Sequence, residues 1–269
     1  MDPRQRTGPK TALITGASSG IGFELAELFA RDGYDLVLTA RSEEKLRARA
    51  DELASRFGIS TRIIAKDLSS PQSPDAIFNE LQRESVFVDV LVNNAGFGNH
   101  GPFHQTDLAE ELEMIQVNLT SLTHLTKLFA REMIGKGSGK ILNVASVAGF
   151  LPGPLMAVYY ATKAYVLSFS EALAEELRGT GISVTCLCPG PTRTDFQRRA
   201  GIGPIKILDH GAATLDSKTV ARRGYEGLMR NKRVVVTGFM NRFFVFGMRF
   251  VPRSVLARIV WWGQEQKQK

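Results

Sequence analysis

Cysteine, histidine and long apolar runs are scarce in this chain, and each scarcity removes a class of function. There are two cysteines and four histidines in 269 residues. Cys186 and Cys188 stand two apart in the strand-like run ISVTCLCPG, which points both thiols to one face. That spacing suits neither a C-x-x-C redox pair nor a zinc site, so they read as small buried thiols in a reducing, intracellular setting. His100 and His104 are four apart, but Gly and Pro interrupt their segment, so no metal is expected. Arginines break every apolar stretch before the roughly 18 to 20 residues that a membrane span needs. Residues 1–9 form a short polar arm without the apolar core of a secretory signal. A cytoplasmic protein is expected, either soluble or peripheral to a membrane.

Acidic residues are scarce at one end only. With a net charge of +7 overall, residues 217–269 hold 12 Lys or Arg against 2 acids, so residues 1–216 carry −3. The main body is therefore not a basic, nucleic-acid-binding surface, and any anionic partner concerns the tail. The chain is 43% hydrophobic and 23% charged, which excludes disordered and fibrous classes. No repeat, linker or low-complexity segment divides it. One large domain over residues 10–269 follows.

Apolar runs at 12–14, 34–41, 61–69, 88–96, 139–146 and 182–188 read as strands. Amphipathic stretches at 23–31, 42–57, 74–84, 108–133 and 159–178 read as the helices between them. Ser42 suits an N-cap, with Glu43 and Glu44 in the first turn after it. This alternation predicts an α/β, doubly wound parallel sheet, Rossmann-like, with helices on both faces.

In such a sheet ligands sit beyond the carboxyl ends of the strands. The first strand runs into a turn of Gly16, Ser18, Ser19, Gly20, Ile21 and Gly22. Without Cβ atoms in the way, backbone N–H groups and a helix N-terminus can approach a pyrophosphate there. The spacing G-x-x-x-G-x-G is not the usual G-x-G-x-x-G, and a turn needing glycine only for its backbone angles is the competing reading. The second strand ends in Ala40 and Arg41, where an NAD-binding fold would place a carboxylate. A cation there suits the 2′-phosphate of NADP. Asp67, with the Leu68 N–H beside it, could meet an adenine amino group or simply cap a turn. Asn94, Ala95 and Gly96, after Asn93, permit close backbone approach to a cofactor.

Three residues carry the chemistry. Ser146 ends the fifth strand, and Tyr159 and Lys163 stand at i and i+4 on the next helix, sharing one face. A phenol titrates near 10, and a neighbouring ammonium favours its phenolate, so Tyr159 could exchange a proton with an alcohol or carbonyl oxygen. Ser146 could hold the same oxygen. Tyr160 has Ala164 at i+4, which supplies no charge, and is expected to point to a different face.

These motifs, in this order, closely resemble the short-chain dehydrogenase/reductase family from about residue 10 to residue 200. The matches are Thr15-Gly16-x-x-x-Gly20-x-Gly22, Asn93-Asn94-Ala95-Gly96, Asn118 in QVNLTS, Ser146, Tyr159-x-x-x-Lys163, and Pro189-Gly190 followed by Thr192 and Thr194. The resemblance implies a nicotinamide cofactor, for which the cation at Arg41 favours NADP(H) over NAD(H), and hydride transfer at a carbonyl or alcohol carbon. It implies Tyr159 as general acid-base, Lys163 as its partner and a ribose ligand, Ser146 as the carbonyl-orienting group and Asn118 as the holder of a relay water. Pro189, Gly190, Thr192 and Thr194 are similar to the segment that contacts nicotinamide and phosphates. A homodimer or homotetramer paired through the 159–178 helix is also implied.

Residues 201–215 are expected to form a substrate lid. Phe97, Phe103, Phe150, Leu151, Leu155, Met156, Ile202 and Ile205 are expected near an apolar substrate such as a steroid, ketoacyl chain or aromatic ketone. Residues 240–269 are a basic, aromatic extension expected to pack on the domain or a second subunit, with membrane contact as the alternative. A non-enzymatic NADP(H)-binding sensor or scaffold on the same fold is the alternative function.

Overall fold

The computed structural model describes residues 8–194, 196 and 214–265. The first half alternates strand and helix: β1 (Thr11–Thr15), α1 (Gly20–Arg31), β2 (Asp35–Ala40), α2 (Glu43–Phe57), β3 (Thr61–Ala65), α3 (Ser73–Arg83) and β4 (Val90–Asn93). The second half continues with α4 (Leu108–Ile115), α5 (Leu122–Lys136), β5 (Gly139–Val144), α6 (Ala157–Glu176) and β6 (Ile182–Cys188). It closes with the two-residue strands β7 (Thr192–Arg193) and β8 (Leu215–Asp216), then α7 (Ser217–Met229), β9 (Val234–Val236), α8 (Phe239–Met248) and α9 (Arg253–Glu265).

Seven strands among the described residues make one sheet in the order β3-β2-β1-β4-β5-β6-β9, parallel throughout. Winding runs outward from β1 through β2 to β3, then restarts on the other side of β1 at β4. The crevice outside the carboxyl ends of β1 and β4 is thus the switch point where such folds bind ligands.

Alternation along each strand feeds two cores. Ala12 and Ile14 of β1, Leu36 and Leu38 of β2, and Val90 and Val92 of β4 pack with Leu25, Phe29, Leu46 and Leu53 of α1 and α2, and with Val220 and Leu228 of α7. Leu13, Val37, Leu91 and Ile141 turn the other way, onto Ile77, Leu81, Leu125, Phe129 and Met133. With both faces covered, a strand needs no polar side, which is why these runs are apolar almost without break. Phe29 is fully buried and meets Tyr34 and Tyr225 edge-on at 5.2 and 4.9 Å, fastening α1 to α7.

The helix ends follow local chemistry. Ser42 accepts from the Lys45 N–H at 3.4 Å, and α2 closes at Gly58 in the left-handed region. Three features depart from the expected pattern. The 108–133 helix is not continuous: Gln116–Ser121 between α4 and α5 is π-helical. There Asn118 bonds to the backbone of Phe97 in a neighbouring loop, so the widened turn serves a tertiary contact that periodicity does not reveal. Helix α7 and strand β9 also escape the pattern, β9 because three valines beside a Lys- and Arg-rich turn are too short a run to read.

The tail packs on the domain through one side. Val245, Met248 and Leu256 do pack, against Leu151, Phe150 and Val236. The aromatic residues do not follow them inward: Phe239, Phe243, Phe246, Phe250 and Trp262 are exposed.

Candidate active site

A cavity of about 620 Å³ opens at the switch point, and Gly16, Arg41, Asp67, Asn94, Ser146, Tyr159, Lys163 and Thr194 all line it. Its floor at one end is the glycine turn. Gly16 has φ +65°, and a Cβ there would lie 2.8 Å from the Asn94 side-chain nitrogen. A Cβ on Gly22 would lie 2.4 Å from the Gly16 carbonyl oxygen. The glycines therefore let α1 start hard against the turn that precedes it. Ser18, Ser19, Gly20 and Ile21 face the cavity, and the Ser19 side chain makes no capping bond, which leaves the α1 N-terminus directed at the cavity. Gly22→Ala should displace this turn. A loss of about 1–3 kcal/mol is expected, read as a lower denaturation midpoint.

Asn94 is tied into the scaffold. Its Nδ2 donates to the Thr15 and Gly16 carbonyls at 3.0 and 3.2 Å, and the Asn94 and Ala95 N–H groups both donate to Thr15 Oγ1 at 2.9 Å. The end of β4 is thereby latched to the end of β1. Asn93 turns inward to Thr126 and Asn143, both at 2.9 Å, and is buried away from the cavity.

Just past β2 and β3 the lining carries cations. Arg41 stands there together with Lys45 and Lys66, two residues that sequence reading missed because neither stands at a motif position. Glu113 also lies there, 3.9 Å from Arg41, with both side chains substantially exposed. Asp67 serves as a turn residue, its Oδ1 accepting the Ser69 N–H at 3.0 Å, and it still lines the cavity. Leu68 is buried beside it, and its carbonyl accepts from Ser121 Oγ at 2.7 Å.

Ser146, Tyr159 and Lys163 converge in the middle. Ser146 Oγ accepts from the Ala148 N–H at 3.1 Å and donates to the Pro189 carbonyl at 3.4 Å. Tyr159 is buried, and burial pushes its phenol above the usual range, against an opposing hydrogen bond from Ser146. Lys163 is buried too, and burial brings its ammonium down to about 8, with Cys186 and Cys188 acting the other way. Its Nζ donates to the Val144 carbonyl at 2.9 Å and lies 5.8 Å from the centre of the Tyr159 ring. The ammonium is thus directed at the backbone, and burial is the largest influence on both groups.

Asn118 stands behind this group. Its Oδ1 accepts from the Phe97 N–H at 3.0 Å and its Nδ2 donates to the Phe97 carbonyl at 2.8 Å. A Cβ on Gly96 would lie 2.9 Å from Asn118 Oδ1 and 3.5 Å from Lys163 Nζ, so Gly96 is the gap across which these two side chains approach.

Pro189, Gly190, Thr192 and Thr194 form the wall opposite. Thr194 reaches the glycine turn, its Cγ2 lying 3.3 Å from where a Gly20 Cβ would be, and Thr192 Oγ1 donates to the Gly190 carbonyl at 2.8 Å. Phe97, Met156, Phe196 and the ring of Tyr160 are the large apolar members of the lining. Tyr160 lines the same cavity, its ring edge-on to Tyr159 at 6.0 Å, and its hydroxyl accepts from Gln264 Nε2 at 3.4 Å. Gln264, from α9, was not anticipated, because nothing in the tail's sequence marks it. Phe103 is exposed, whereas Phe150 and Leu151 pack under the tail and Leu155 is buried outside the lining. Ile202, Ile205 and residues 201–213 of the expected lid lie outside the described residues.

Residues 10–203 match the family model described as short chain dehydrogenase. The chain belongs to the short-chain dehydrogenase/reductase family. A family relative, the very-long-chain 3-oxoacyl-CoA reductase of Phaeosphaeria nodorum, is 38% identical over 182 residues, 65% of this chain and 53% of the relative. The chain thus spans about half the length of that curated relative. Among solved members of the family, a short-chain dehydrogenase from Sphingobium yanoikuyae in complex with NADPH superposes with a TM-score of 0.79 at 34% identity. The match covers 91% of this chain and 97% of that one. A short-chain dehydrogenase/reductase from Burkholderia phymatum in complex with NAD gives 0.79 at 27% identity, covering 88% and 92%.

The glycine cradle and the open α1 terminus fit the pyrophosphate of the nicotinamide nucleotides that these two relatives hold.

Proposed function

We propose that this short-chain dehydrogenase/reductase is an NADP(H)-dependent carbonyl reductase whose proton donor is Tyr159. The observation that carries the reading is that one cavity is lined both by Ser146, Tyr159 and Lys163 and by Arg41, Lys45 and Lys66. Three cations at the place where a 2′-phosphate would extend favour NADP(H) over NAD(H). Gly16 to Gly22 cradle the pyrophosphate, and Lys163 contacts the ribose. Asp67, Leu68, Ala95 and Gly96 flank the adenosine and the linking ribose, and Pro189, Gly190, Thr192 and Thr194 hold the nicotinamide end. The bound cofactor supplies the hydride.

The protein's own residues supply the rest. Ser146 Oγ donates to the substrate oxygen and fixes it beside Tyr159. Because burial raises the phenol, Tyr159 carries its proton throughout the neutral range and is ready to give it to that oxygen as negative charge develops. Lys163 adds a positive charge to the site while protonated, and Asn118 holds the water through which Tyr159 and Lys163 regain their protons. Phe97, Met156, Phe196 and Tyr160 exclude bulk water and select an apolar carbonyl compound, affinity coming mainly from buried area. The Phaeosphaeria nodorum relative, named for 3-oxoacyl-CoA, makes a ketoacyl chain a fitting substrate class.

Two copies pair through α6, into a homodimer or homotetramer. On this helix Ala161, Ser168 and Ala172 are exposed beside the half-buried Tyr165 and Phe169, whose rings stack at 5.7 Å.

The pH profile tests the proton assignment. Lys163 loses its charge as pH rises through about 8, so ketone reduction should hold steady near neutrality and decline above that value. Alcohol oxidation needs the phenolate and should rise with pH over the same interval. Initial rates in both directions across this range check it; parallel profiles would refute the assignment.

A further inference from the structure

The tail carries two apolar stripes on opposite sides, and only one is used. On α8 the inner stripe is Val245 and Met248, buried, with the polar Asn241 one turn before them donating to the Thr237 carbonyl. The outer stripe is Phe239, Phe243, Phe246 and Phe250, spaced at four, three and four, and it faces solvent at 80%, 68%, 58% and 75% exposure. Helix α9 repeats the arrangement: Leu256 is buried beneath, while Val255, Ile259 and Trp262 are exposed above. Of the large hydrophobic side chains exposed among the described residues, ten stand between Phe239 and Trp262 and four elsewhere. A concentration of this kind marks an interaction surface.

Charge decides the partner. Arg242, Arg249, Arg253 and Arg258 are exposed among these aromatics, and the sequence has no Asp or Glu between Glu226 and Glu265. A two-fold pairing of this face with itself would bring arginine onto arginine with no acid to offset them. An anionic bilayer satisfies both features at once, taking Phe and Trp rings into its interfacial layer and arginines to its headgroups. No helix among the described residues is long and apolar enough to cross a membrane, so the contact is with the surface.

We infer that α8 and α9 together form a docking face for the surface of an anionic phospholipid bilayer. The same two helices reach the site, α9 through Gln264 on Tyr160 and α8 through Asn241 packed on Gly190. Docking would therefore set the cavity close to lipid. That consequence rests on the reductase reading, whereas the docking does not.

The chain's only two tryptophans, Trp261 and Trp262, both lie on α9, so tryptophan emission reports this face alone. The full chain is titrated with phosphatidylcholine vesicles, with and without phosphatidylserine, and bound protein is measured by sedimentation. Phosphatidylserine vesicles should shift the emission to the blue and sediment the protein. Each arginine near such a surface strengthens partitioning about fivefold, so Arg249→Gln with Arg253→Gln should weaken it by roughly 25-fold. Phe243→Ser with Phe246→Ser should abolish sedimentation while leaving turnover of a water-soluble ketone unchanged. Equal partitioning into both vesicles, or none into either, would overturn the inference. So would an emission that is already blue and moves to the red on dilution as an oligomer dissociates, which would assign the face to a second copy.

Discussion

Tyr159→Phe should lower the rate of carbonyl reduction by about 10²- to 10⁴-fold, a rise in barrier of roughly 3–5 kcal/mol. The variant should still bind NADPH with an affinity close to that of the parent. The substitution removes one hydroxyl from a buried ring and leaves the packing against Phe196 in place, so the change in stability should stay within about 1 kcal/mol. Single-turnover rates and a fluorescence titration of NADPH separate the two effects. Tyr160→Phe is the control. Its hydroxyl meets Gln264, so its loss should alter KM for bulky substrates more than kcat. A Tyr159→Phe enzyme with full activity would remove the proton donor from the mechanism.

The second large effect concerns cofactor choice. Arg41→Asp replaces a cation with an anion where the 2′-phosphate would extend, and a charged hydrogen bond is worth about 1.5–3 kcal/mol. The ratio of kcat/KM for NADPH over NADH should fall by about 10²-fold or more, because the introduced carboxylate both repels a phosphate and accepts from a 2′-hydroxyl. Lys45 and Lys66 line the same cavity and would keep part of the attraction. Adding Lys45→Ala should therefore lower the ratio further. An unchanged ratio in the single variant would show that Arg41 only faces water.

The sheet was legible in the sequence because burial on both faces leaves β1, β4, β5 and β6 as apolar runs, and the helices between them keep one polar side. The site was legible where spacing itself encodes geometry, as with Tyr159 and Lys163 on one helical face or the glycines that let α1 meet the turn. What could not be read depends on contacts between distant segments. Lys66 reaches the cavity beside Arg41 because β2 and β3 pair in register, and Gln264 because α9 folds back onto Tyr160. The π-helical turn at Asn118 answers to the Phe97 backbone, about twenty residues earlier in the chain, a contact with no local signature. The surroundings of the acid-base pair were not legible either: two residues four apart on a helix share a face, but only the fold shows that both are buried and that Lys163 reaches the Val144 carbonyl.

The most direct measurement is the loss of reduced nicotinamide absorbance when the purified chain meets a panel of apolar ketones and ketoacyl thioesters, with NADPH and NADH compared in parallel. The account predicts steady consumption of NADPH with at least one bulky apolar carbonyl compound, slower consumption of NADH, and stoichiometric alcohol product. Tight binding of NADPH with no turnover across the panel would contradict it and leave a sensor or scaffold built on a reductase fold.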